Sequence, residues 1–233
     1  MAARLRGPLN VFPNVESMSL AVARAFVSAA AVYDPFAVAL TGGTTPEPLY
    51  HLLATTHRSF IPWQRVHLFW SDERYVAPGH PESNVGMARR ALIDHIPIPE
   101  ANVHPPNTVL TDPEESAAAY EAEIRAFLGP EPRFDWMLLG LGEDGHVASL
   151  FPGGEATKQR ERLVVAVRDS PKPPPVRLTM TPPLINRSRE IHMLVTGASK
   201  RKAVKALTEG RASPWLVPPT LWMERQAANP AET

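Results

Sequence analysis

Four short polar clusters in this chain carry residue types suited to acid–base and anion chemistry. Thr41-Gly42-Gly43-Thr44-Thr45-Pro46 combines two glycines, which let backbone N–H groups approach a ligand, with the start of a helical pattern, whose N-terminus favours anions. It reads equally as a phosphate loop or as a tight turn in which Thr45 caps a helix. Ser71-Asp72-Glu73-Arg74 offers a guanidinium that could steady an oxyanion or grip a hydroxyl, or an ordinary solvated edge. Glu143-Asp144-Gly145-His146 offers an imidazole with a pKa near neutrality. Asp144 is close enough in sequence to orient it. Thr196-Gly197-Ala198-Ser199-Lys200 ends in a cation, and Arg177 is a further one. Neither Gly140-Leu141-Gly142 nor TGGTTP completes a nucleotide fingerprint, and the Glu143-Asp144 pair stands where a pyrophosphate would lie. Ser149 lacks the G-x-S-x-G surroundings of a serine nucleophile.

Each cluster follows an apolar run of β type: FAVAL (36–40), VHLFW (66–70), FDWMLLGLG (134–142) and IHMLV (191–195). LNVF (9–12) and LVVAV (163–167) are two more. Between them lie helical patterns. Met18, Val22, Phe26 and Ala29 share one helix face, as do Ala117, Tyr120, Ile124 and Phe127, the latter opened by Asp112-Pro113. Leu49, Leu52 and Leu53 suit a helix after Thr45-Pro46, and Val204 with Leu207 one from near Ser199. Strand–helix alternation predicts an α/β, Rossmann-like, mostly parallel sheet with helices on both faces. Ligands on such sheets bind beyond the carboxyl ends of the strands, where the clusters fall. The segments 95–113 and 169–176 (DSPKPPPV) read as loops. A single α/β domain over 1–233 is expected, with room for a small subdomain around the middle loops.

Composition narrows the function classes. The 233 residues hold 24 Lys+Arg against 24 Asp+Glu, so there is no basic excess for nucleic acid. No cysteine is present, which excludes disulfides, thiol catalysis and zinc ribbons. The histidines show no metal-ligand spacing, so neither a metal nor a cofactor is expected. No apolar run reaches the ~18 residues that a membrane helix needs. The opening MAARLRGPLNVFPN has no apolar core of a signal peptide, so a cytoplasmic chain without membrane partners is expected, as a monomer or small homo-oligomer.

TGGTTP, WSDERYV with Ser83-Asn84, LLGLGEDGHVASLFPG, Arg177-Leu178-Thr179 with Ile185-Asn186, and VTGASK follow one another in an order that resembles the 6-phosphogluconolactonases. The related glucosamine-6-phosphate deaminases differ at the GEDGH segment and at Asp72-Glu73-Arg74. The resemblance implies hydrolysis of 6-phospho-D-glucono-1,5-lactone to 6-phospho-D-gluconate, the second step of the oxidative pentose phosphate pathway. It implies phosphate contacts from Gly43, Thr44 and Thr45 with help from Arg177 and Lys200, a general base in His146, and an electrophilic partner in Arg74. Gly42 and Asp72 join them as candidate substrate contacts. One departure is Glu224, where an aspartate is common. The rival readings are a deaminating isomerase on the same fold and a non-catalytic sugar-phosphate sensor.

Overall fold

Five of the six apolar runs form strands of one parallel sheet; the sixth goes elsewhere. The structure, a computed structural model, describes residues 8–211, 213, 215–217, 219–225 and 227. The first seven residues of the opening segment, and both ends of the expected 1–233 domain, lie outside the described residues. The elements are β1 (Leu9–Phe12), α1 (Val15–Val32), β2 (Phe36–Leu40), α2 (Glu47–Ala54), β3 (Val66–Trp70), β4 (Asp72–Arg74), α3 (Asn84–Ala91), α4 (Pro113–Leu128), β5 (Trp136–Gly140), β6 (Val164–Val167), β7 (Arg177–Met180), α5 (Pro182–Arg187), β8 (Glu190–Val195), α6 (Arg201–Thr208) and β9 (Thr220–Glu224).

The main sheet has the order β1-β9-β8-β5-β2-β3, with every pairing parallel. Its central strands are apolar on both faces because both faces are covered. Ala37, Ala39, Met137, Leu139 and Met193 pack with Tyr120, Ile124, Leu184, Val204 and Leu207 of α4, α5 and α6. Phe36, Val38, Leu40, Trp136 and Leu138 pack with Val22, Phe26, Leu49, Leu53 and Ala88 of α1, α2 and α3. From β2 the chain moves outward to β3; from β5 it moves the other way, to β8. The crevice between the β2 and β5 ends is therefore the switch point of the sheet, where ligands bind in such folds.

LVVAV forms β6 of a second sheet, antiparallel, in the order β4-β7-β6. Its strands are short and partly polar (DER in β4, RLTM in β7), which is why the sequence shows them as motifs rather than strands. Ser71 joins the two sheets: its N–H donates to the Leu40 carbonyl and its own carbonyl accepts from Met180 N, both at 2.8 Å.

Two helix expectations need correction. Thr45 does not cap α2, which opens at Pro46 without a side-chain cap; the Thr45 hydroxyl lies 3.0 Å from that of Thr196 instead. Helix α1 spans 18 residues at a mean hydropathy of 1.4, so by length and composition it does meet the criterion for crossing a membrane. Glu16, Ser17, Ser19, Arg24 and Ser28 break its apolar residues into short stretches, so the segment shows no continuous apolar run. Here Met18, Val22, Ala23, Phe26 and Ala30 of this helix are buried in the protein core.

Candidate active site

A cleft of about 390 Å³ opens at the carboxyl ends of β2, β5 and β8, facing the second sheet. Gly42, Gly43, Thr44, Thr45, Asp72, Arg74, His146, Arg177 and Lys200 all line it. Of the candidate catalytic and substrate-binding residues, Asp144 alone is set back, in contact with His146. Among the described lining residues, four cations (Arg74, Lys172, Arg177, Lys200) face one carboxylate, that of Asp72.

The loop after β2 is shaped from below. The Tyr50 hydroxyl, buried in α2, donates to the Thr41 carbonyl at 2.7 Å and accepts from Thr41 N at 3.1 Å. Gly43 takes φ +87°, a conformation that favours glycine. At Gly42 a Cβ would sit 1.8 Å from Asn84 Oδ1, so the loop passes hard against the start of α3.

The Asp72-Glu73-Arg74 stretch is a strand, not a solvated edge. Glu73 is 1% exposed, and its carboxylate accepts from Arg74 N, Asn84 N, Val85 N and the Ser83 hydroxyl. Burial pushes its pKa up against those hydrogen bonds. Glu73 thus ties β4 to the N-terminus of α3. Asp72 accepts the Ser149 hydroxyl at 2.7 Å, and its carbonyl takes Asn84 Nδ2 at 2.9 Å. Arg74 donates through Nη1 to the Glu82 carbonyl at 2.9 Å, while its buried Nε has no hydrogen-bond partner.

His146 stands on a turn closed by Gly142 N to the His146 carbonyl at 2.8 Å and Gly145 N to the Gly142 carbonyl at 3.0 Å. Its Nδ1 lies 2.5 Å from Asp144 Oδ1. The carboxylate assigns the ring proton to Nδ1 and leaves Nε2 to accept another. Burial pulls the His146 pKa below the usual value, against the pull of Asp144, and the nearby Lys172 ammonium adds to the depression. For Asp144 burial acts upward, but the His146 hydrogen bonds and Lys172 outweigh it and the carboxyl sits below its usual range. The Phe151 ring covers the imidazole, with centroids 4.6 Å apart.

Arg177 is 3% exposed, and burial lowers its pKa. Nε donates to the Pro174 carbonyl and Nη2 to those of Lys172 and Pro173. It thereby holds the proline-rich segment, expected only as an exposed loop, against the cleft. Lys200 follows β8; burial lowers its pKa, while Glu143 acts to raise it. Glu224 accepts Gly197 N at 3.2 Å and so steadies the turn that carries Lys200. Sequence reasoning did not identify Lys172 and Asn84 as cleft residues. Asn84 had only its place after Ser83 to mark it, and Lys172 was hidden among prolines.

Chemically, the arrangement pairs a carboxylate-oriented neutral imidazole with a cation-rich hollow. The fold and this site define an α/β enzyme of the kind that handles a small anionic metabolite at a sheet switch point. A family model described as glucosamine-6-phosphate isomerases/6-phosphogluconolactonase matches residues 14–229. The 6-phosphogluconolactonase of Synechocystis sp. is 48% identical over 185 residues, 78% of this chain and 75% of that protein. The 6-phosphogluconolactonase of Mycobacterium tuberculosis is 40% identical over 240 aligned residues, 94% of this chain and 96% of the relative. Among solved structures, 6-phosphogluconolactonase from Trypanosoma cruzi superposes with a TM-score of 0.84 at 28% identity, covering 97% of each chain. The chain belongs to the glucosamine-6-phosphate isomerase/6-phosphogluconolactonase family, and within it is an enzyme of the lactonase kind.

Proposed function

We propose that the protein opens 6-phospho-D-glucono-1,5-lactone to 6-phospho-D-gluconate, as the second step of the oxidative pentose phosphate pathway, in the cytoplasm. The observation that carries the mechanism is the 2.5 Å contact of His146 Nδ1 with Asp144, beside a cleft lined by four cations. A δ-lactone is an activated ester. His146 Nε2 takes a proton from water as the water oxygen attacks C1. The carbonyl oxygen becomes an oxyanion, and Arg74, with an unpartnered buried Nε, stabilises it. The intermediate collapses by breaking the bond between C1 and the ring oxygen, and the imidazolium returns its proton to that oxygen. Asp144 keeps the imidazole in the required tautomer.

The phosphate lies at the Gly43-Thr44-Thr45 loop with Lys200 and Arg177, away from the bond that breaks. Its contacts provide positioning. Gly42 keeps the loop close to Asn84, and Asp72 faces the sugar hydroxyls.

A coupled assay tests the reading. Glucose-6-phosphate dehydrogenase generates the lactone, and acid release is followed with and without the protein. Acceleration above the spontaneous rate is expected, with His146→Ala costing about 10²–10⁴ in kcat. No acceleration, or ammonia release from glucosamine 6-phosphate instead, overturns the assignment; unchanged turnover in His146→Ala removes that residue as base.

A further inference from the structure

One oxygen of Asp144 meets both the His146 ring and the Lys172 ammonium. His146 Nδ1 lies 2.5 Å from Oδ1, and Lys172 Nζ lies 3.7 Å from the same atom. Lys172 belongs to the strap 170–176 between β6 and β7. Its backbone is clamped: the Ser170 hydroxyl accepts from Lys172 N at 3.2 Å and donates to Lys172 O at 2.8 Å, and Arg177 holds the carbonyls of 172, 173 and 174. The side chain is 41% exposed and lines the cleft. A fixed root with a half-exposed ammonium, within reach of both a carboxylate and an anion site, makes a movable charge.

We infer that Lys172 couples anion binding to the strength of the base: it shares the Asp144 carboxylate with His146 while the cleft is empty and turns to the anionic group of the ligand when the cleft fills. This deepens the functional reading above and rests on it for the role of His146. The physical argument is one of charge. With Lys172 on Asp144, part of the carboxylate's field is neutralised and a proton on His146 is less well supported. When Lys172 leaves, Asp144 supports the imidazolium alone, as proton transfer from water requires. Each side of the imidazole has its charged groups. Asp144 faces it from its own turn, Lys172 from the strap and Asp72 from β4; Arg74 and Arg177 line the same cleft, and Glu143 and Lys200 act electrostatically on Asp144 and on each other. Among the described cleft cations, Lys172 is the one ion-paired with the carboxylate that holds His146.

Lys172→Met and Lys172→Arg test this by NMR titration of the His146 ring, assigned by its loss in His146→Ala, with and without saturating inorganic phosphate at constant ionic strength. In the unliganded protein, Lys172→Met moves the His146 titration to higher pH and Lys172→Arg leaves it near the wild-type position. Phosphate moves it upward in the wild type, and by less in Lys172→Met. In turnover, the acid limb of kcat lies above that of kcat/KM for the wild type, and the two limbs converge in Lys172→Met. An unliganded Lys172→Met titration that matches the wild type, or an undiminished phosphate shift in that variant, overturns the coupling. The NMR arm needs no catalysis, so a protein without lactonase activity would sink the functional reading while leaving the coupling to be judged separately.

Discussion

Gly142→Ala separates the geometry of the base from the integrity of the fold. Gly142 is not in a left-handed conformation, and both of its backbone hydrogen bonds, to the His146 carbonyl and from Gly145 N, survive in alanine. The new Cβ, however, would meet His146 Nδ1 at 2.0 Å, His146 Cε1 at 2.3 Å and Asp144 Oδ1 at 2.5 Å. An ordinary contact needs about 3.5 Å, so the imidazole must retreat by roughly 1.5 Å or swing off its carboxylate. A displacement of ~1 Å at a reacting group can cost about 10²-fold, and complete loss of the base up to about 10⁴-fold, so kcat should fall by roughly 10²–10³. Stability falls modestly and the fold is kept. Gly→Ala stabilises by about 0.4–1 kcal/mol through the unfolded chain. Local crowding costs about 1–3 kcal/mol. The net effect is a loss of roughly 0–2.6 kcal/mol, a melting temperature lower by up to about 10 °C at roughly 2–4 °C per kcal/mol for a chain of this size. The coupled lactonase assay gives kcat, and a thermal melt by circular dichroism gives Tm. Wild-type kcat in a folded variant would refute the account of the base; so would a loss of activity that merely tracks unfolding.

Arg74→Lys keeps the charge but loses the planar fork, and kcat should drop by about 10²-fold with the melt unchanged; undiminished turnover removes the oxyanion role. His192 is buried at 4% exposure, stacked on Trp136 and accepting the Trp222 indole N–H at 3.0 Å, and burial depresses its pKa to about 3. Its unfolded form titrates near 6.5, so the stability it lends is complete above that pH and fades as pH falls towards about 3, by up to ~1.4 kcal/mol per pH unit. Urea melts of the wild type and His192→Asn between pH 7 and 4 check this: the wild type should lose more, and equal slopes contradict the assignment. Glu73→Gln sets an amide against N–H donors where a carboxylate accepts four hydrogen bonds, and should cost about 2 kcal/mol in a urea melt. A change of a few tenths would show that β4 and α3 are held by something else.

What could be read from the sequence followed from one-dimensional signals. FAVAL and the MLLGL stretch are apolar at every position because helices cover both sheet faces, and polar clusters after such strands mark their carboxyl ends. Asp112 before Pro113 gave the start of α4, where Asp112 accepts Glu114 N at 3.1 Å. Strands β4 and β7 were not legible, because three or four mixed residues show no period and their pairing is a tertiary fact. Thr45 illustrates the same limit: its hydroxyl partner, Thr196, is 151 positions away. The candidate site was visible as residue types, but the sharing of one Asp144 oxygen between His146 and Lys172, and the commitment of three Arg177 hydrogen bonds to strap carbonyls, depend on how two sheets meet.

Arg74 and Arg177 are direct partners across the β4–β7 ladder. Like charges placed opposite one another repel, and Lys172 and Lys200 line the same hollow. An unfilled cleft therefore holds guanidiniums in enforced company, and a visiting oxyanion relieves them. The medium then becomes part of any measurement. Phosphate or sulfate buffers will raise the apparent melting temperature, by about 2.7 kcal/mol of stabilisation at a hundred times the dissociation constant, and will compete with the substrate. Comparisons between variants at this site belong in buffers whose anions are too large or too weakly charged to enter.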